Sequence, residues 1–241
     1  MQEQIIGILG GMGPEATLNC FAQIIANTPA NNDQENLHII IANNPSIPDR
    51  TRAILENGPS PLLVLVQGCR SLEKAGADFI IIPCVTAHYY EKPLKQEAQL
   101  PLISMLDVVA EHIVQRHPDI KHIGLMGTDG TIQSGIFEKR LNAAGLEICI
   151  CTPAIQAHVM DTIYAIKGIQ SDQQRKAITA ELAAAADYLV KQGAQGIIAG
   201  CTEIPLALGQ NDVAVPYFDS LLLLARAAIR KAGREPMIID T

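Results

Sequence analysis

Short runs of consecutive apolar residues alternate along this chain with longer stretches whose apolar positions recur at helical spacing. The short runs predict strands at roughly 4–9, 37–42, 78–82 and 101–103, then at roughly 122–126, 146–150, 195–199 and 215–217. The amphipathic stretches between them predict helices, among them 14–27, 60–75, 132–144, 173–192 and 219–232. Strands that are apolar throughout, separated by helices, belong in a parallel sheet covered on both faces. The expected class is therefore α/β, built of βαβ units.

The pattern occurs twice. Ile6-Gly7-Ile8-Leu9-Gly10-Gly11-Met12-Gly13 corresponds to Ile123-Gly124-Leu125-Met126-Gly127-Thr128-Asp129-Gly130, an offset of 117 positions. At the same offset Leu72-Glu73-Lys74-Ala75-Gly76-Ala77 meets Leu189-Val190-Lys191-Gln192-Gly193-Ala194, and Cys84 meets Cys201. A third echo, two residues short, pairs Pro101-Leu102-Ile103-Ser104-Met105-Leu106 with Pro216-Tyr217-Phe218-Asp219-Ser220-Leu221. Matches in register at three places imply two equivalent halves. Each half is expected to be a doubly wound domain with a mostly parallel four-stranded sheet. The last segment is expected to cross back, so that residues 1–100 plus about 210–241 form one domain and 101–209 the other, with hinges near 99–104 and 205–212.

Composition narrows the function. Of 241 residues, 48% are hydrophobic and 18% charged, which suits a globular chain with a substantial core. The net charge of −7 comes with scattered Lys and Arg, which argues against nucleic acid or an anionic membrane as partner. No apolar run is long enough to span a bilayer and no basic-then-apolar leader opens the chain, so a cytoplasmic location is expected. Six cysteines in such a chain are expected to be reduced thiols, and neither Cys-x-x-Cys nor His-Glu-x-x-His occurs.

Ligands of parallel α/β sheets bind beyond the carboxyl ends of the strands. The glycine turns at 10–13 and 127–130 stand there, as do Cys84 and Cys201. If a pseudo-two-fold axis relates the halves, the two thiols face each other across the cleft. That arrangement suits inversion of an α-carbon, which removes a proton from one face and returns one to the other. A thiol titrates within reach of neutral pH, and amides at a helix start stabilise its thiolate or a substrate carboxylate. The two would titrate as a coupled pair.

The chain resembles the aspartate/glutamate racemase family over nearly its whole length. The resemblance rests on Gly10-Gly11-Met12-Gly13-Pro14-Glu15-Ala16-Thr17, Pro48-Asp49-Arg50-Thr51, Pro83-Cys84 with Thr86-Ala87-His88, Gly127-Thr128-Asp129-Gly130-Thr131, and Gly200-Cys201-Thr202-Glu203-Ile204-Pro205-Leu206. It implies two doubly wound domains with the site between them, usually as a homodimer, acting on a small acidic amino acid without pyridoxal phosphate or metal. It implies Cys84 and Cys201 as the acid/base pair. Arg50 and Lys167 are implied as cations for the side-chain carboxylate, and Met12, Thr86, Thr128 and Thr202 as cleft-lining positions. A guanidinium fork suits a carboxylate. His88 and Glu203 are supporting candidates. One position departs from the family: Val85 stands where Asn usually follows the first cysteine, and valine offers the amino-acid head group neither donor nor acceptor.

Plainer roles compete at each position. Cys20, Cys69, Cys149 and Cys151 lack flanking motifs and are expected to be packing residues. Arg52 competes with Arg50 for the carboxylate. His88 suits a helix cap or a pair with Glu91, and an acidic residue such as Glu203 is favoured in a first helical turn in any case. The turn at 10–13 invites a dinucleotide reading, but it lacks the full Gly-x-Gly-x-x-Gly spacing and no acidic residue ends the second strand, which argues against such a site. The expected activity is aspartate racemisation. The alternatives are a glutamate or broad-specificity racemase, a cysteine-dependent isomerase of unsaturated diacids, and a catalytically silent protein that binds an acidic amino acid.

Overall fold

The computed structural model describes residues 3–166 and 171–237. The chain divides into two compact units, Met1–Val108 with Leu221–Thr241, and Val109–Ser220. No helix among the described residues is long and apolar enough to cross a membrane.

In the first unit the order is β1 (Ile6–Gly10), α1 (Pro14–Asn27), β2 (Ile39–Asn43), α2 (Arg50–Leu55), α3 (Leu62–Lys74), β3 (Phe79–Ile81), a 3-10 turn at Thr86–Tyr90, α4 (Glu91–Glu97) and α5 (Met105–Arg116). The strands are parallel in the order β2-β1-β3, with Ile6 opposite both Ile39 and Phe79. β1 and β3 are buried at every position, as their unbroken apolar sequence requires. A sheet of four strands was expected here, but the fourth is a single bridge, Ile80 to Leu102. Its two hydrogen bonds run from Ile80 N–H to Pro101 O and from Ile103 N–H to Ile80 O, after which the chain leaves for α5.

The second unit follows as β4 (His122–Gly127), α6 (Asp129–Ser134), α7 (Ile136–Ala143), β5 (Glu147–Cys149), α8 (Pro153–Ile166), α9 (Asp172–Lys191), β6 (Gly196–Gly200) and β7 (Tyr217–Asp219), and α10 (Ser220–Lys231) closes the order. Its parallel sheet runs β5-β4-β6-β7, which is the order of the first sheet with a full strand in the place of the bridge. The predicted helix at 132–144 is split by Gly135, which takes the left-handed conformation between α6 and α7.

The repeat is visible bond by bond. Asp78 N–H donates to Ile5 O at 2.9 Å, and Gln195 N–H donates to His122 O at 2.8 Å. The helices before β3 and β6 end alike: Gly76 and Gly193 adopt φ of 94° and 100°, and Ala77 and Ala194 N–H return to Leu72 and Leu189 O. Only glycine takes such angles without strain, so the Gly-Ala pair at both places is a helix stop that turns the chain into a strand.

The unit boundaries differ from those expected. They fall inside α5 and at the start of α10, not near 99–104 and 205–212. Residues 101–108 stay with the first unit because Leu102 bridges to β3. Residues 210–220 stay with the second because β7 pairs with β6 through Ile197–Tyr217, Ile198–Phe218 and Ala199–Asp219. The crossing segment begins at Leu221.

Candidate active site

In the first unit the turn after β1 is held by Thr17, whose Oγ1 accepts from Gly11 N–H at 2.9 Å and donates to Gly13 O at 3.0 Å. Gly11 has φ of 101°, and a Cβ there would lie 2.3 Å from the Asn44 backbone, so this position admits glycine alone. Arg50 opens α2, which Asp49 caps through Arg52 N–H at 2.8 Å. The Arg50 guanidinium donates to Pro48 O at 3.1 Å and to Met12 O at 3.2 Å, so two predicted site residues meet. Arg52 points elsewhere, to an exposed pair with Glu56 at 3.2 Å.

Cys84 is buried just past β3, its N–H bonded to Ile82 O at 2.8 Å, and Thr86 begins the following 3-10 turn, also buried. Val85 is buried too. His88 bonds Cys84 O through Nδ1 at 2.9 Å, while its Nε2 accepts from Met105 N–H at 3.1 Å. One nitrogen must donate and the other must accept, so the ring is neutral with its proton on Nδ1. Burial holds its pKa below the ordinary value, against the opposing pull of the Cys84 carbonyl and Glu91. His88 therefore reaches Cys84 through the backbone. Buried Glu91 takes a bond from Ser104 Oγ at 2.8 Å and pairs with Lys95. Burial alone would raise its pKa, but those two partners outweigh it and the carboxyl lies below its usual range.

In the second unit Thr128 caps α6, its Oγ1 accepting from Thr131 N–H at 3.1 Å. Gln156 of α8 braces this turn with Nε2 bonds to Gly127 O at 3.0 Å and Asp129 Oδ1 at 2.8 Å, while its buried Oε1 has no hydrogen-bond partner among the described residues. Cys201 follows β6. Its thiol donates to Glu203 Oε2 at 3.0 Å, and Thr202 Oγ1 donates to the same oxygen at 3.4 Å. All three residues are buried. Helix α9 grips the end of this turn through Arg175 to Leu206 O and Thr179 Oγ1 to Ala207 O.

Met12 and Arg50 thus meet in one unit, where α2 packs against the turn after Cys84. Cys201, Thr202 and Glu203 meet in the other. Lys167 lies outside the described residues. Burial pushes the thiols of Cys69 and Cys151 up to about 11, which suits packing roles. Sequence reasoning missed Tyr90, whose phenol burial and Tyr89 raise while Arg50 opposes them, together with Gln156 and Tyr217. For Gln156 no local signal existed, since it lies far along the chain from the turn it braces.

Fold and site together define a duplicated α/β protein in which each repeat carries a buried cysteine at the same sheet position. The family profile for Asp/Glu/hydantoin racemases matches residues 9–228. The broad specificity amino-acid racemase RacX of Bacillus subtilis is 31% identical, covering 93% of this chain and 96% of that protein. Among solved structures, the Picrophilus torridus aspartate racemase superposes with a TM-score of 0.86 at 29% identity, covering 97% of this chain and 96% of that one. An aspartate racemase homologue from Pyrococcus horikoshii OT3 gives 0.76 at 28% identity, covering 96% and 100%. The chain belongs to the Asp/Glu/hydantoin racemase family and is an amino-acid racemase, an isomerase.

Proposed function

We propose that the chain interconverts L- and D-aspartate by two-base proton transfer between Cys84 and Cys201, without pyridoxal phosphate or metal, in the cytoplasm and as a homodimer. The observation that carries this reading is the placement of one buried cysteine after β3 and one after β6, strands that occupy the same position in two sheets of the same order. In one direction the Cys84 thiolate takes the α-proton and the bonding pair stays on carbon. The Cys201 thiol then delivers its proton to the opposite face. Turnover leaves thiol at Cys84 and thiolate at Cys201, and the reverse direction starts from that state.

Arg50, held by the carbonyls of Met12 and Pro48, presents the guanidinium that grips the substrate's side-chain carboxylate, and Lys167 supplies a second cation. Thr86, Thr128 and Thr202 offer hydroxyls to the α-carboxylate, which carries the charge that develops as the α-proton leaves. Likeness to the Picrophilus torridus enzyme supports aspartate. A second reading, a broader substrate range, is favoured by Val85 and by the likeness to RacX. Valine gives the head group no hydrogen bond, which removes one criterion of selection.

The test is purified protein in D2O with L-aspartate, L-glutamate and neutral L-amino acids, without added cofactor. Inversion with deuterium entering the α-position of aspartate is expected. Equal rates for neutral amino acids select the broader reading, and absence of exchange in every substrate overturns racemisation.

A further inference from the structure

In each unit a side chain from the helix after the edge strand reaches the turn after the neighbouring inner strand. In the first unit Arg50, on α2 after β2, donates to Met12 O in the turn after β1. In the second, Gln156, on α8 after β5, donates from Nε2 to Gly127 O at 3.0 Å and to Asp129 Oδ1 at 2.8 Å, in the turn after β4. An amide nitrogen carries two hydrogens, and that turn uses both. The amide is therefore fixed, because turning it over would set Oε1 against the same two acceptors. In this orientation Oε1 is buried with no hydrogen-bond partner among the described residues. A buried acceptor left unpaired destabilises a fold, and an apolar side chain of the same length would avoid that loss. The fold accepts it and gains a hold on both sides of Thr128.

The turn that Gln156 holds stands beside the second thiol. Gly127 pairs with Gly200 at the ends of β4 and β6, and the residues that follow them are Thr128 and Cys201. The two backbones are close here: a Cβ on Gly127 would lie 2.9 Å from Gly200 O, and one on Gly200 would lie 2.8 Å from Met126 O. Helix α8 packs against β4 and against the turn Ile204–Leu206 that follows Cys201. Thr128 Oγ1 accepts from Thr131 N–H at 3.1 Å and lies 3.1 Å from Thr131 Oγ1. Those bonds tie the hydroxyl to its own turn, so its direction follows the backbone at 127–129. All of these groups belong to the second unit.

We infer that Gln156 is a positioning residue for racemisation: it clamps Gly127 and Asp129 so that Thr128, between them, keeps its place next to Cys201 and presents its hydroxyl to the substrate's α-carboxylate. This rests on the role given to Thr128 in the two-thiol racemase reading. Gln156 exchanges no proton and acts only through the turn. Two-base inversion leaves the α-carboxylate where it is bound, so both enantiomers depend on Thr128 alike. A group that biased one thiol would instead divide them.

The experiment uses Gln156→Met, an unbranched apolar side chain of similar length, in the full-length protein. From L- and D-aspartate kcat/KM is expected to fall about tenfold, divided between kcat and KM in the same way for both. Thr128→Val removes the hydroxyl and is itself expected to lower kcat/KM. In that background Gln156→Met is expected to cost less than about twofold more, because its route is already cut. An equal tenfold loss in both backgrounds overturns the inference, since the effect would then bypass Thr128. No loss from Gln156→Met alone, or a loss divided differently for the two enantiomers, also overturns it. Hydrogen exchange read by mass spectrometry follows the turn without turnover. The Thr131 amide is expected to exchange about tenfold faster in Gln156→Met, while residues 10–17 of the first unit keep their rate. Unchanged exchange over 127–131 overturns the inference. Should Gln156→Met fail to fold, Gln156→Glu sets a carboxylate against Asp129, and adding Asp129→Asn returns a donor to the pair. Activity regained by the double variant supports the clamp, and none regained overturns it. A wild-type protein inert toward every amino acid sinks the racemase reading instead, and Thr128→Val equal to wild type sinks the role of Thr128. In either case the exchange rates still decide whether Gln156 holds the turn.

Discussion

Replacing Glu203 by Gln removes one negative charge beside the second thiol while leaving an acceptor of the same shape. The Cys201 S–H to Glu203 Oε2 contact is 3.0 Å, and the two residues are only 5% and 4% exposed. A hydrogen bond to a charged group contributes about 1.5–3 kcal/mol and one between neutral groups about 0.5–1.5 kcal/mol. Sulfur is a weak donor, which puts the difference at the low end, about 1 kcal/mol or a factor of about five. The sign follows from the charge. The carboxylate favours the proton on Cys201, so its loss favours the enzyme form with thiolate there. Initial rates from L- and D-aspartate, followed by circular dichroism, should give a ratio of the two KM values shifted about fivefold, with the KM of the enantiomer that Cys201 deprotonates falling relative to the other. Racemisation should persist, because the amide still orients the thiol. An unchanged KM ratio would refute the argument. So would a loss that falls on kcat alone for both enantiomers, since Glu203 would then act in proton transfer itself rather than by biasing the state of Cys201.

Cys84→Ala and Cys201→Ala should each reduce racemisation by about 10²–10⁴. Each should still exchange the α-proton of one enantiomer on one face, which proton NMR in D2O detects; full racemisation by Cys84→Ala would end the two-thiol mechanism. Arg50→Lys loses the fork held by Met12 and Pro48 and should raise KM for aspartate about tenfold, whereas Arg52→Gln, removing only an exposed pair, should leave steady-state kinetics unchanged. Gly11→Ala forces a side chain into φ of 101° against the Asn44 backbone and should cost about 3 kcal/mol, lowering Tm by about 6–12 °C in a calorimetric scan. Stability should fall as pH drops below 6.5: burial depresses the folded pKa of His88, so the unfolded chain takes up a proton that the folded chain refuses. In chemical denaturation at graded pH, His88→Gln should flatten that fall. Glu91, whose folded pKa also lies below 4.5, adds a further loss at more acid pH.

Much of this was legible in one dimension. The offset that joins Cys84 to Cys201 also joins Gly76 to Gly193 and Ile5 to His122, and the structure spends each pair on the same turn or bond. Helix and strand periods are local properties, written in which positions are apolar, so the order of elements and the family motifs could be read directly. The two-residue shortening of the third echo is real as well, since Leu102 and Tyr217 occupy equivalent places beside Ile80 and Ile197. Where the fourth strand stops was not legible. Leu102 makes one bridge and Tyr217 opens a three-residue strand, though both follow a proline, and that difference moved the unit boundaries away from the expected hinges.

Around the thiols the division is similar. Cys201 and Glu203 are two residues apart, and their nearness was written in the motif. That His88 would spend both ring nitrogens on backbone was not, because its second partner, Met105, lies beyond α4. Tyr217 looked like any strand aromatic until the pairing register set it on the face of Ile197, Ala199 and Cys201. Sequence determines periodicity and therefore elements; register, which fixes the side chains that share a face, depends on partners distant along the chain and was decided only when the sheets formed.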